Sequence, residues 1–310
     1  MEWQDFRRSD NIEDRRGDDS GGDPQGGISI PSLGGTGHLG LGAIIVLGLI
    51  SWALGIDPRV LIGGAEMAEN ARHGGQYSQM SEAPAPQQRA QSQSAMPSDQ
   101  MGQFVAAVLA ETEDVWSSVL PAQKGINYVP PHLVLYSGAT YSGCGGAQAA
   151  MGPFYCPVDQ KVYLDTSFFK DMQERYGGGG DFAYAYVIAH EVGHHIQDQL
   201  GILGKVIAAE LSAPTRAEAN ALSVRIELMA DCLAGVWAAN AQSKFHVIDP
   251  GDVDKAILTA QAIGDDRLQQ AAQGYVVPDS FTHGTAAQRV QWLNAGLKSG
   301  LIDSCNTFSR

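Results

Sequence analysis

The strongest constraint on this chain is the pentapeptide His190-Glu191-Val192-Gly193-His194. Two imidazoles four residues apart project from one face of an α-helix, because four residues turn the chain by about 400°. Both can grip one metal ion, and the carboxylate between them is placed to take a proton from water at that ion. This geometry requires a helix, and the flanking sequence supplies one. Ala183, Val187, Ile188, Val192 and Ile196 form an apolar stripe at helical spacing. Asp181 is placed to cap its start after the glycine run 177–180, and Gly201 to end it. The glycine run lacks the Gly-Lys-Ser/Thr of a phosphate loop, so it reads as a hinge and no nucleotide site is expected.

A hydrolytic zinc ion usually has three protein ligands and an open position, so a third ligand is needed. The segment 216–242 reads as a second long helix, with Ala221, Val224, Leu228, Cys232, Val236 and Ala239 as its apolar stripe. Glu227 and Asp231 share a face of it, four residues apart, with no basic residue at ion-pair spacing behind them. Burying two carboxylates on such a helix is costly unless something cationic meets them. Glu227 is therefore the candidate third ligand. Asp231 is the candidate acceptor that orients a ligand imidazole through its other ring N–H.

With these residues in place the chain resembles the YpfJ-type bacterial neutral zinc metallopeptidases, within the wider group whose zinc is held by two histidines and a glutamate. The matching pieces begin with Trp3, Arg7, Ser9, Asn11 and Glu13-Asp14-Arg15-Arg16, followed by Gly152-Pro153-Phe154-Tyr155-Cys156. They continue with His190 to His195, Glu227 to Gly235, and His283-Gly284-Thr285 with Gln288-Arg289. The resemblance implies hydrolysis of peptide bonds, a single catalytic Zn²⁺ on His190, His194 and Glu227, Glu191 as general base, and a peptide or protein substrate. A zinc-stabilised scaffold without catalysis, or a zinc hydrolase of a cell-wall amide, are the other readings.

The remaining histidines divide. His195 points about 100° away from the metal face and reads as a packing residue. His283 lies in a turn before an apolar helix, where a loop can deliver it to a cleft, and is a candidate for stabilising the oxyanion. Arg289 is a candidate for anchoring that loop. His38, His73, His132 and His246 have no identifiable partners.

The segment 39–56 is eighteen residues long and carries no charge, a length suited to one membrane crossing. The charged stretch before it argues against a cleaved signal peptide, so a single-pass anchor is expected. Residues 1–37 read as a polar, disordered tail and 57–100, rich in Gln, Ala, Ser, Pro and Gly, as a flexible linker. All four cysteines, Cys144, Cys156, Cys232 and Cys305, follow the span. An even count on one side suggests disulfides in an oxidising compartment, which would place the catalytic domain outside the cytoplasm on a bacterial inner membrane. Cys144–Cys156 and Cys232–Cys305 is the favoured pairing of three that four cysteines permit.

Residues 101–310 remain as the folded domain, long enough for one sizeable core. Helices are expected at 104–119, 252–262 and 286–297, short strands at 133–136 and 162–164, and a hairpin pairing 154–156 with 161–165. The expected class is α+β, a mainly helical zincin-like domain with a small sheet. The formal charge of −14 argues against a nucleic-acid surface, and Asp265 and Asp266 read as part of this surface acid.

Overall fold

The computed structural model describes residues 1–17, 96–176 and 179–309. A four-stranded sheet runs in the order β1 (Ile12–Asp14), β2 (His132–Tyr136), β6 (Lys161–Asp165) and β5 (Phe154–Cys156). β1, β2 and β6 are parallel, and β5 is antiparallel to β6, pairing Tyr155 with Val162. A separate hairpin joins β3 (Ala139–Ser142) to β4 (Gly145–Gln148). The expected strands and the 154–165 hairpin are present.

Eight helices stand in the described residues: α1 (Gln100–Lys124), α2 (Ser167–Tyr176), α3 (Asp181–Gln199), α4 (Leu203–Leu211), α5 (Arg216–Phe245), α6 (Asp252–Ala262), α7 (Asp265–Gln273) and α8 (Ala286–Ser299). α1 starts where the Asp99 carboxylate accepts the Gly102 N–H and ends at left-handed Gly125. α5 starts on a Thr215 cap and runs longer than the apolar spacing predicts, to Phe245. α2, α4 and α7 are only nine or ten residues long, two to three turns each, and are not among the expected helices.

α5 packs along both α3 and α8. Its crossing with α8 is closed by glycine, since a Cβ on Gly296 would stand 1.9 Å from the Cys232 carbonyl oxygen and one on Gly235 2.3 Å from that of Leu293. Such contact lets the helix backbones approach and brings Cys232 to Cys305, while Cys156 of β5 pairs with Cys144. The favoured pairing is the observed one.

The tail expected to be disordered is corrected over residues 1–17. Trp3, Ser9 and Ile12 are buried, and Ile12 pairs with Leu133 in the sheet. Burial of Trp3 and Ile12 contributes about 1.5–3 kcal/mol each, which offsets the ordering of a short charged segment. Residues 1–17 thus belong to one compact unit with the described residues from 96 onward, and the folded domain does not begin at 101. The predicted span 39–56 and most of the predicted linker lie outside the described residues. Among the described residues no helix is long and apolar enough to cross a membrane.

Candidate metal centre

α3 and α5 face each other with the predicted ligands between them. One donor atom from each of His190, His194 and Glu227 lies within 4.8 Å of the others. Glu227 Oε2 is 3.0 Å from His190 Nε2, and Oε1 is 3.4 Å from His194 Nε2. A close approach of the two helices permits this, because a Cβ on Gly193 would stand 3.1 Å from the Ala230 carbonyl oxygen.

Each histidine is oriented from behind. His190 Nδ1 is 2.9 Å from Asp231 Oδ1, and His194 Nδ1 is 3.0 Å from Gln197 Oε1. With both Nδ1–H groups donating to these acceptors, both Nε2 atoms face Glu227, to which a protonated imidazole donates and beside which a deprotonated one would offer its lone pair to a cation. Gln197 is itself held by donating Nε2–H to the Ile226 carbonyl at 2.7 Å. The sequence reading missed Gln197. It lies three residues beyond His194 and is fully buried, which its polar character in the sequence does not announce.

Asp231 has no solvent access and carries a second pair behind the first, with Arg289 Nε donating to Oδ2 and Nη2 to Oδ1, both at 2.9 Å. Tyr186 donates its hydroxyl to Oδ1 at 2.5 Å. Arg289 thus anchors Asp231, and it also donates to the Ile263 carbonyl. Burial would raise the Asp231 carboxyl, but Arg289 and His190 hold it down at about 2.

The field at the ligands is that of a site built for a cation. Burial alone would lower the His190 pKa, yet Asp231 and Glu227 push it up to about 10. Glu227 is held well below its ordinary range, against its burial, by His194, His283 and His190. Two neutral-capable imidazoles and one ionised carboxylate match the donor set of hydrolytic zinc, so the residues fit the ion. Glu191 is buried beside them, and burial raises its carboxyl against the pull of His190 and His194. A raised carboxylate is a better acceptor for a water proton near neutrality.

His283 lies on the loop between α7 and α8, its side chain half exposed, next to Gly284, which faces Val224 and Leu228 of α5. Its Nδ1 is 3.0 Å from Thr282 Oγ1 and 3.3 Å from Asp265 Oδ1. Asp265 is not the surface acid expected from sequence. It is buried at the first turn of α7, where its Oδ2 accepts the backbone N–H groups of Thr282, His283 and Gly284 at 2.7–3.0 Å. His195 stays out of the cluster, packed between Tyr155 and the Val129 carbonyl. Asp266 accepts the Ala286 N–H.

A family model described as "Putative neutral zinc metallopeptidase" matches residues 1–308. The chain belongs to this family. The match includes the N-terminal arm as well as the metal helices, in keeping with a domain that contains both. YpfJ of Escherichia coli strain K12 is 45% identical over 310 residues, covering 100% of this chain and 99% of that one. Rv2575 of Mycobacterium tuberculosis is 41% identical over 215 residues, 66% of this chain and 70% of that one. No solved structure matches. As a member of the zinc peptidase family the chain has zinc as its cofactor, and the His190–His194–Glu227 group could hold such an ion.

Proposed function

We propose that the protein is a zinc-dependent endopeptidase in which Glu191 is the general base. The observation that carries this reading is a buried carboxylate set between two histidines whose Nε2 atoms converge on a third ligand. A site that only held zinc for stability would have no use for Glu191.

When bound, zinc supplies Lewis acidity that brings the pKa of water toward neutrality. Glu191 accepts that water's proton and returns it to the departing amine. His283, with Nδ1–H committed to Asp265 and Thr282, presents Nε2 to the developing oxyanion and donates to it as an imidazolium. Asp265 and Glu227 raise the His283 pKa against the effect of its burial and favour that form.

An extended substrate fits the outer edge of β5. This strand ends the sheet in the described residues and is tied to α3, since the Tyr155 hydroxyl donates to Asp198 at 2.9 Å. Backbone bonds along a free strand edge hold peptides without regard to sequence. The disulfides fit an oxidising compartment, which supports an extracytoplasmic site of action.

The test is turnover by the purified full-length chain on a peptide library and on cell-wall fragments, before chelation, after it and after zinc is restored. Zinc-restored cleavage of peptides supports the proposal. Cleavage confined to cell-wall amides, or zinc binding without cleavage of either, contradicts it.

A further inference from the structure

The arm 1–17 and the body of the domain are joined by contacts that a membrane would sever. Leu133 donates its N–H to the Asn11 carbonyl and Arg15 its N–H to that of Leu135, both at 2.8 Å, so β1 is an integral strand of the sheet. Ser9 donates its N–H to the Ala106 carbonyl at 3.0 Å, and its hydroxyl and the Asn11 amide both donate to Glu113 of α1. Trp3 packs edge-on against Phe104 with ring centroids 5.4 Å apart and donates its indole N–H to Asp181, the first residue of the metal helix α3. At the exit point, the Arg16 guanidinium bridges Asp14 at 2.6 Å and Asp99 at 2.5 Å. Residues 17 and 96, the two ends of the described chain here, therefore lie close together beside the same guanidinium.

A single crossing anywhere between those residues would put the arm and the body on opposite faces of a hydrocarbon layer about 30 Å thick. β1 would be stripped from β2, and Trp3 from the start of α3. Between residues 18 and 95 the apolar run of crossing length is 39–56.

We infer that residues 1–17 and 96–309 lie on the same side of any membrane the protein meets, and that the run 39–56 is not a single-pass anchor. Any crossings made by the chain between the two parts are therefore even in number. This inference concerns only the closure of the fold, so it stands or falls separately from the peptidase reading.

The experiment compares single introduced cysteines in the full-length chain, expressed in bacteria and treated with a membrane-impermeant maleimide before and after permeabilisation. Asp10→Cys reports on the arm and Lys298→Cys on the body, both at exposed positions. The four natural cysteines are paired and leave no background thiol. The two sites are expected to label to within about twofold of each other, either both before or both only after permeabilisation. Labelling of one in intact cells, with the other requiring permeabilisation, overturns the inference. A second pair, Asp5→Cys with Lys170→Cys, repeats the comparison at other exposed positions, so that one poorly folded variant does not decide it.

Discussion

Asp231 and Arg289 form a buried bidentate ion pair, Nε to Oδ2 and Nη2 to Oδ1 at 2.9 Å each, directly behind His190. Removing one partner of such a pair strands a buried charge, which costs about 3–5 kcal/mol. Asp231→Asn keeps the shape and removes the charge that both Arg289 and His190 use. It is expected to lower unfolding stability by that amount and zinc affinity by about 10- to 100-fold. Urea unfolding and competition against a chromophoric chelator measure the two separately. Unchanged zinc affinity would show that His190 is oriented by something else.

Asp265 and His283 are expected to act together on turnover. Asp265→Asn leaves the three backbone donors an acceptor but removes one of the charges that, with Glu227, raise the His283 pKa. The predicted effect is a kcat lower by about 10- to 100-fold with little change in KM, as for other losses of transition-state hydrogen bonding. The high-pH limb of the rate profile should also move to lower pH, because His283 then loses its proton earlier. His283→Ala should cost at least as much, and adding Asp265→Asn to it should cost little more.

Glu111 makes stability depend on pH far from the metal. It is buried in α1 near Trp237, and burial pushes its carboxyl up to about 8 from the ordinary 4.5. The folded state therefore keeps a proton that the unfolded state releases. The sign is that stability is fully present below pH 4.5 and is lost as pH rises toward 8, by on the order of 4 kcal/mol. Glu111→Gln, which holds no titrating proton, should show a flatter dependence of Tm on pH across this window. A parallel pair of curves would remove Glu111 as the cause.

The two disulfides should differ in what they contribute. Cys232–Cys305 spans 73 residues and Cys144–Cys156 only 12. Loop-closure entropy gives the first about 4 kcal/mol and the second about 3 kcal/mol. Replacing Cys232 and Cys305 by serine should lower Tm more than replacing Cys144 and Cys156, and a reductant should lower the wild type further than either. Equal small losses would mean that the unfolded chain is already compact.

The sequence makes the metal face legible because one period of the helix fixes it. His190, His194, Glu227 and Asp231 are all four residues apart within their helices, and only a cation reconciles the carboxylates with their apolar neighbours. Arg289 and the paired cysteines are visible for related reasons, as residues whose chemistry demands a partner. Gln197 and Asp265 are not visible. One reads as an ordinary polar residue near a helix end and the other as half of an acidic helix start, and their burial depends on Ile226 and on the 282–284 loop folding over them. The arm 1–17 is hidden in another way. A three-residue strand carries no periodicity, and Trp3 and Ile12 are isolated apolar residues in a charged segment until β2 and α1 surround them.

The central claim is that Glu191 moves the proton at a zinc site held by other residues, and Glu191→Gln tests it most directly. The measurement is peptide turnover by the zinc-loaded full-length variant, with its zinc content determined on the same sample. The account predicts a zinc content equal to wild type and a rate reduced by at least about 10²–10⁴-fold. Cleavage at the wild-type rate with zinc in place would contradict it.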